Sequence, residues 1–274
     1  MDAQNPEYQY TQVKGHRIAY IEQGTGPTLI FLHGIPTSAL LWRNVIPTLA
    51  KHYRVIAPDM LNYGKSDKPA DANVSIAAQS EILLGLMDGL GIRSADLVAH
   101  DIGGGVAQII ATQHPERINR LVLADAVCFD SWPIPEFKPL QEPKAEDDMT
   151  PAELESMLRD FLPQGMHDSS NATEELADMV IEPWKGELGK KAFFRNLRRL
   201  NPEYTLALAD ELTSLPHKTL ILWGQHDSFQ KPEYAEKLAS AIPDSRIEWV
   251  NSAHWITEEQ PEEVAKVLGN FLRN

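Results

Sequence analysis

The stretch LVAHDIGGGVAQ, Leu97 to Gln108, joins two patterns at a tight corner. Leu97, Val98 and Ala99 form an apolar, strand-like run, and Val106, Ala107, Ile109 and Ile110 recur at helical spacing. Between them lie His100, Asp101, Ile102 and a run of glycines. Small residues, Ala99 and Gly103, stand two before and two after Asp101. The backbone can therefore turn sharply and lift the Asp101 side chain above the end of the strand. The start of the following helix offers free N–H groups and the positive end of its dipole, both of which favour a carboxylate. Taken alone, Asp101 is equally well a helix N-cap, a position for which Asp is favoured. The rest of the chain has to separate the two readings.

Working outward, TLIFLH, YRVIAPD, ADLVAH, INRLVLAD, KTLILWG and RIEWV read as strands, most of them continuous apolar runs of the kind buried on both faces of a sheet. Two more strand patterns, Tyr8 to Val13 and Arg17 to Glu22, flank Lys14-Gly15-His16 and predict a hairpin. Helical patterns alternate with the buried strands over Ala39–Ala50, Ser75–Leu90, Gly103–His114, Pro232–Ala241 and Pro261–Leu272. Such alternation implies an α/β fold with a mostly parallel, doubly wound sheet. It breaks over 130–216, where helical patterns (Pro151–Phe161, Thr173–Ile181, Lys190–Leu200, Thr205–Leu215) occur without a strand. The expected organisation is a first core part, 1–129, a helical cap, 130–216, inserted after the sixth strand, and a second core part, 217–274. The acidic tract Glu142–Asp148 reads as a solvated loop.

The 274 residues, 43% hydrophobic, are ample for a buried core. Lys and Arg number 25 against 39 Asp and Glu, a net charge of −14, which disfavours nucleic-acid backbones and anionic membranes as partners. A small-molecule substrate, with the chain a monomer or small homo-oligomer, is expected instead. The single cysteine, Cys128, sits between Val127 and Phe129 and reads as a buried thiol in a reducing, cytoplasmic setting. MDAQNPEYQY has neither the basic nor the apolar part of a secretory leader, and no run is long and apolar enough to span a membrane. The nine histidines show no metal-ligand spacing backed by carboxylates, so neither a metal nor a cofactor is expected.

Three further features bear on Asp101. FLHGIP ends the first buried strand with His33-Gly34, and the loop after such a strand supplies one N–H of an oxyanion hole. The backbone N–H groups of Ile35 and Ile102 would be the pair. LILWGQHD places Asp227 just past a late strand, and NSAHWITEEQPEEV places His254 between the last strand and the last helix. Singly, Asp227 is a turn residue and His254 a loop histidine. Together they give nucleophile, acid and histidine in the chain order of the G-x-S-x-G hydrolases, with Asp101 where Ser usually stands.

On these residues the chain resembles the α/β-hydrolase superfamily, and within it the branch with an aspartate nucleophile: epoxide hydrolases and haloalkane and haloacetate dehalogenases. FLHGIPTSALLWRNVIP, YRVIAPDMLNYGKSDKP, LVAHDIGGGVAQ, HPERINRLVLAD, LILWGQHD and SAHWITEEQPEEV carry the resemblance over roughly two-thirds of the chain. Some relatives place the acid one strand earlier, where this chain has Asp125. Asp227 is the expected acid, because its arrangement is the commoner, and Asp125 the alternative.

An aspartate is already ionised at neutral pH. Its attack on an ester or amide would give an anhydride, whereas attack on saturated carbon gives an ordinary ester. Asp101 therefore points to displacement at saturated carbon, with His254 then activating water against the ester. The resemblance implies that halide-releasing relatives carry a side-chain N–H donor after the nucleophile and often after His-Gly. Here those positions are Ile102 and Ile35, so donors would have to come from Trp132, Trp184 or other cap residues. An epoxide oxygen needs a proton or strong hydrogen bond from a cap tyrosine or histidine, and Tyr204 and His167 are the candidates. An epoxide hydrolase is the leading expectation and a dehalogenase the alternative. A hydrolase or lyase using Asp101 as a base, and a ligand-binding homologue without turnover, are the competing readings.

Overall fold

A computed structural model describes residues 6–273. Eight strands form one sheet: β1 (Tyr8–Val13), β2 (His16–Gln23), β3 (Thr28–Leu32), β4 (Arg54–Pro58), β5 (Ala95–His100), β6 (Ile118–Ala124), β7 (Lys218–Gly224) and β8 (Ser245–Val250), in the order β1-β2-β4-β3-β5-β6-β7-β8. β1 and β2 make the expected hairpin, and β2 runs antiparallel to β4. All other neighbours are parallel, so β3 to β8 end on one edge. Every residue of β5 is buried, as a strand covered on both faces must be.

The helices that alternate with the strands are α1 (Ile46–Leu49), α2 (Ile76–Gly89), α3 (Ile102–Gln113) and α9 (Pro232–Ala241), and α10 (Ile256–Glu259) and α11 (Pro261–Arg273) follow β8. The pattern expected over Ala39–Ala50 is broken into a 3-10 turn, Ala39–Trp42, and the single turn α1. Ser75 caps α2, its side chain accepting from Ala78 N–H. α11 has the most one-sided apolar stripe, burying Val264, Leu268, Phe271 and Leu272.

Between β6 and β7 the chain holds helices and no strand: α4 (Pro143–Asp147), α5 (Pro151–Phe161), α6 (Glu174–Ile181), α7 (Gly186–Leu197) and α8 (Glu203–Leu206), with loops and 3-10 turns among them. α5 begins with a capping box, Thr150 and Glu153 bonding each other's backbone. Two expectations fail here. The acidic tract is not a loop: Pro143 starts a helix, and Glu146 pairs with Arg198 at 2.7 Å. The pattern over Thr205–Leu215 does not make one helix. It splits into α8 and a 3-10 turn, Glu211–Ser214.

The helical segment between β6 and β7 is tied by specific bonds to the loops that follow β3, β4 and β8. Trp184 Nε1 donates to Pro36 O at 2.8 Å, and Asn62 Nδ2 donates to Ala192 O at 2.8 Å and Asn196 Oδ1 at 2.6 Å. The N–H of His254 donates to the carbonyl of Gly165 at 2.9 Å. Cys128 is fully buried, as its neighbours suggested. No helix among the described residues is long and apolar enough to cross a membrane.

Candidate active site

Asp101 stands between β5 and α3 with φ 51° and ψ −123°, the left-handed region that non-glycine residues rarely occupy. Such strain persists only where the surroundings over-determine it. Here Asp101 N donates to Ala124 O, and Asp101 O accepts from Gly104 N and Val127 N. Although it occupies the N-cap position, its side chain makes no capping bond to α3. Oδ1 instead accepts from Ile35 N at 2.9 Å, and the Ile102 N–H also favours the charged carboxylate. Both backbone donors expected of an oxyanion hole therefore face Asp101. Gly34 permits this approach: a Cβ there would lie 2.4 Å from both Cβ and Oδ1 of Asp101.

His33 supports that loop and does not line the cavity. Its Nε2 accepts from Met60 N at 3.0 Å, which places the ring proton on Nδ1, bonded to Gly34 O at 2.9 Å. Burial lowers its pKa to about 4, so it stays neutral.

His254 Nδ1 bonds Asp227 Oδ2 at 2.8 Å, and its Nε2 lies 3.9 Å from Asp101 Oδ2. The first distance is a hydrogen bond and the second is too long for one, so Oδ2 of Asp101 keeps its lone pairs. The other oxygen of Asp227 accepts from Phe229 N at 2.8 Å and Gln230 N at 2.9 Å. Burial works to lower the His254 pKa, but the charge and hydrogen bond of Asp227, with the charge of Asp101, outweigh it and leave it raised. Burial raises the Asp101 pKa above the usual carboxylate range against the opposing charge of His254.

Asp125, the alternative acid, is not bonded to His254. It is fully buried at the end of β6, where its N–H donates to Leu222 O and its Oδ1 accepts from Gly224 N at 2.8 Å. Burial and the charge of Asp227 raise its pKa well above the carboxylate range. The neutral form of the carboxyl is therefore favoured, and its Oδ2 is buried without a hydrogen-bond partner among the described residues.

A narrow, mostly apolar cavity opens over these groups. Ile35, Asp101, Ile102 and His254 form its base, Trp132, Pro133, Ile134, Phe137, Phe161 and Leu200 come from the inserted segment, and Phe229, Gln230 and Trp255 complete it. Phe161 and Phe229 stack at 4.8 Å, and Phe229 meets the His254 ring edge-on at 5.4 Å. No Lys or Arg lies among these lining residues.

Several expected donors lie elsewhere or are already used. Trp132 lines the cavity, but its Nε1 donates to Thr205 Oγ1 at 2.7 Å, and Trp184 is committed to Pro36. Tyr204, in α8, lines a separate groove with Lys14, His16 and residues of α2. His167 is exposed: its N–H donates to Glu259, and its ring stacks on His226 at 3.9 Å. Sequence reasoning passed over Phe161, Phe229, Gln230 and Trp255. The last is the neighbour of His254, and Gln230 lies three residues after Asp227, within the turn that Asp227 caps; both were findable from those positions.

The model of the family described as alpha/beta hydrolase fold matches residues 27–261. The chain is 32% identical to a 2-hydroxymuconate semialdehyde hydrolase of Pseudomonas sp. (strain CF600), over 94% of this chain and 91% of the relative. A solved alpha/beta hydrolase fold protein from Burkholderia ambifaria superposes with TM-score 0.89 at 25% identity, covering 96% of this chain and 97% of the other. A mutant of CumD, a meta-cleavage product hydrolase from Pseudomonas fluorescens IP01, solved with acetates, gives 0.84 at 27% identity and covers 97% of each chain.

Proposed function

This chain belongs to the alpha/beta hydrolase family, and from that premise we propose that it displaces a leaving group at saturated carbon through a covalent ester on Asp101. The observation that supports this is a buried carboxylate at the strand–helix corner, one oxygen held by Ile35 N–H and the other free, with the His254–Asp227 pair behind it. Oδ2 attacks the carbon, the bond to the leaving group breaks, and the leaving group departs with its electron pair. His254 Nε2 then takes a proton from water as that water adds to Cγ of the ester. The negative charge develops on Oδ1, which the Ile35 amide holds, with the Ile102 N–H beside the same carboxyl group. Collapse of this intermediate breaks the bond between the alkyl oxygen and Cγ. The alcohol leaves with the proton from His254. Asp101 is left as a carboxylic acid, and it passes the second proton of the water through His254 to solvent to return as the carboxylate.

The absence of Lys and Arg from the lining favours small, uncharged substrates, since a carboxylate in an apolar cavity without a partner is costly to desolvate. An epoxide oxygen would leave as an alkoxide and need a proton. Neither Tyr204 nor His167 lines the cavity, and His254 stands on the Asp101 side. A leaving group that departs as a stable anion, such as halide, needs no proton and is preferred on that ground to the epoxide, although Trp132 and Trp184 are bonded elsewhere. The similarity to a 2-hydroxymuconate semialdehyde hydrolase favours a second reading, in which Asp101 acts on a carbonyl compound as a base.

One experiment separates these. His254→Gln is incubated with haloalkanes, epoxides and 2-hydroxymuconate semialdehyde, and intact mass is measured, with wild-type turnover in parallel. A stable adduct on Asp101 from a haloalkane is expected. An adduct from epoxides alone reverses the choice of leaving group. Wild-type turnover of the semialdehyde without any adduct establishes the second reading. No adduct, with neither halide nor diol released, overturns the ester.

A further inference from the structure

We infer that Trp255 and Gln230 form a subsite for an uncharged hydroxyl group in the cavity above Asp101, and so select small apolar substrates that carry one. This rests on reading the cavity as the substrate site. Trp255 and Gln230 are each about 1% exposed, and both line the cavity. Trp255 Nε1 and Gln230 Oε1 are buried without a hydrogen-bond partner among the described residues. They are the two such atoms that belong to cavity-lining residues, whereas the other indole of the lining, Trp132, is already bonded. Buried polar atoms are nearly always paired, so two orphans on the walls of one cavity point to a partner that arrives with the ligand.

The surroundings hold both groups ready. Gln230 is fixed through its backbone: its N–H donates to Asp227 Oδ1, and its carbonyl accepts from Trp223 Nε1 at 2.8 Å. The side-chain amide is left for other work. The Trp255 indole packs against Gly165, where a Cβ would lie 2.4 Å from Nε1 and 2.6 Å from the Phe229 ring. Trp255 N and His254 N both donate to Gly165 O, so the inserted segment sets the indole and the imidazole together.

An indole N–H can only donate and an amide oxygen can only accept. A hydroxyl does both, taking a hydrogen bond from Trp255 and giving one to Gln230. A halide or carboxylate would meet the amide oxygen with like polarity, and a hydrocarbon would leave both groups unpaired.

The test uses the full chain with benzyl alcohol and toluene, which carry no leaving group, and reads binding by calorimetry. It therefore stands or falls apart from adduct formation on Asp101. A purely apolar cavity prefers toluene, because the hydroxyl is costly to take from water. The subsite predicts that the wild type binds benzyl alcohol at least as tightly as toluene. Trp255→Phe and Gln230→Met should each shift that preference towards toluene by about tenfold, with toluene binding itself unchanged. The double variant should lose less than the product of the two, because one hydroxyl serves both groups. A wild type that prefers toluene, variants that leave the preference unmoved, or no binding of benzyl alcohol overturns the inference. Gln230→Met decides the matter alone if Trp255→Phe fails to fold.

Discussion

Asp125 and Asp227 stand at or just past the ends of neighbouring parallel strands, both buried, yet their carboxyl groups meet very different sets of donors. Asp227 receives two backbone N–H groups on one oxygen and the His254 imidazole on the other, a set of donors that stabilises a charged carboxylate. Asp125 receives one backbone N–H and otherwise meets the negative charge of Asp227, so it holds its proton. The difference teaches that position at a strand end does not confer a role. The loop that follows decides, by the number of N–H groups it turns back on the carboxylate.

The strongest way to break this comparison is to exchange the states. Asp227→Asn should lower turnover about 10³–10⁴-fold, the loss expected when an imidazole loses its orienting carboxylate. The same change at Asp125 should leave turnover within about threefold, because Asn keeps a neutral carbonyl for Gly224 N and the residue has no bond to His254. Steady-state rates on any substrate found by adduct trapping check both. If Asp125→Asn is the silencing change, the two acids have been assigned the wrong way round.

A second prediction extends the comparison to the loop after β8, which is steadied from outside the sheet. Gly165→Ala pushes a methyl group onto Trp255 and Phe229 and moves the carbonyl that holds His254 N–H. Turnover should fall about 10²-fold, as it does when catalytic groups are displaced by about an ångström. An unchanged rate would show that the His254 loop holds itself.

Charge sharpens the contrast further. Both Asp227 and Asp101 raise the His254 pKa. Asp101→Asn removes one of these charges, so the imidazole should titrate lower than in the wild type, as NMR of its ring protons would show. On the proposed mechanism the same would follow on esterification of Asp101: loss of its charge would lower the His254 pKa at the step that needs a base. In the acid direction, alkylation should fade as pH drops through the raised Asp101 pKa, above the usual carboxylate range.

The smallest effect is on stability. A carboxyl whose folded pKa is raised disfavours the fold once the unfolded chain ionises. Stability is therefore lost as pH rises above the ordinary Asp value of about 3.8. Asp125→Asn removes that loss and should raise Tm at pH 7 by about 2–4 °C, with no gain in acid where Asp125 is protonated in both states. Thermal scans at the two pH values check the sign.

Much of this arrangement was legible in the sequence, for a physical reason. Strands buried on both faces must be apolar along their whole length, so TLIFL and ADLVAH announce themselves, and the residues at their ends are placed with them. The hairpin, the corner at Asp101 and the His254–Asp227 pair follow from strand order. The inserted segment obeys no such rule. Its helices pack on one another and on the sheet at angles that periodicity does not encode, and Tyr204, in α8, lies in another groove. His167 looked like a donor by type, but its surroundings are solvent, Glu259 and the His226 ring. The acid was ambiguous between Asp125 and Asp227 because both sit at strand ends. Only the turn through Phe229 and Gln230 tells them apart.

The corner itself has a practical consequence for detecting this protein among other hydrolases. Reagents that tag serine hydrolases through phosphorus depend on an alcohol nucleophile that forms a lasting phosphate ester. At Asp101 the same attack would give a mixed anhydride, which water reopens, and Oδ1 already occupies the Ile35 N–H that would receive the phosphoryl oxygen. In a fluorophosphonate-labelled mixture this chain should therefore stay dark. A reporter built on an alkyl electrophile, applied to His254→Gln, should light it up.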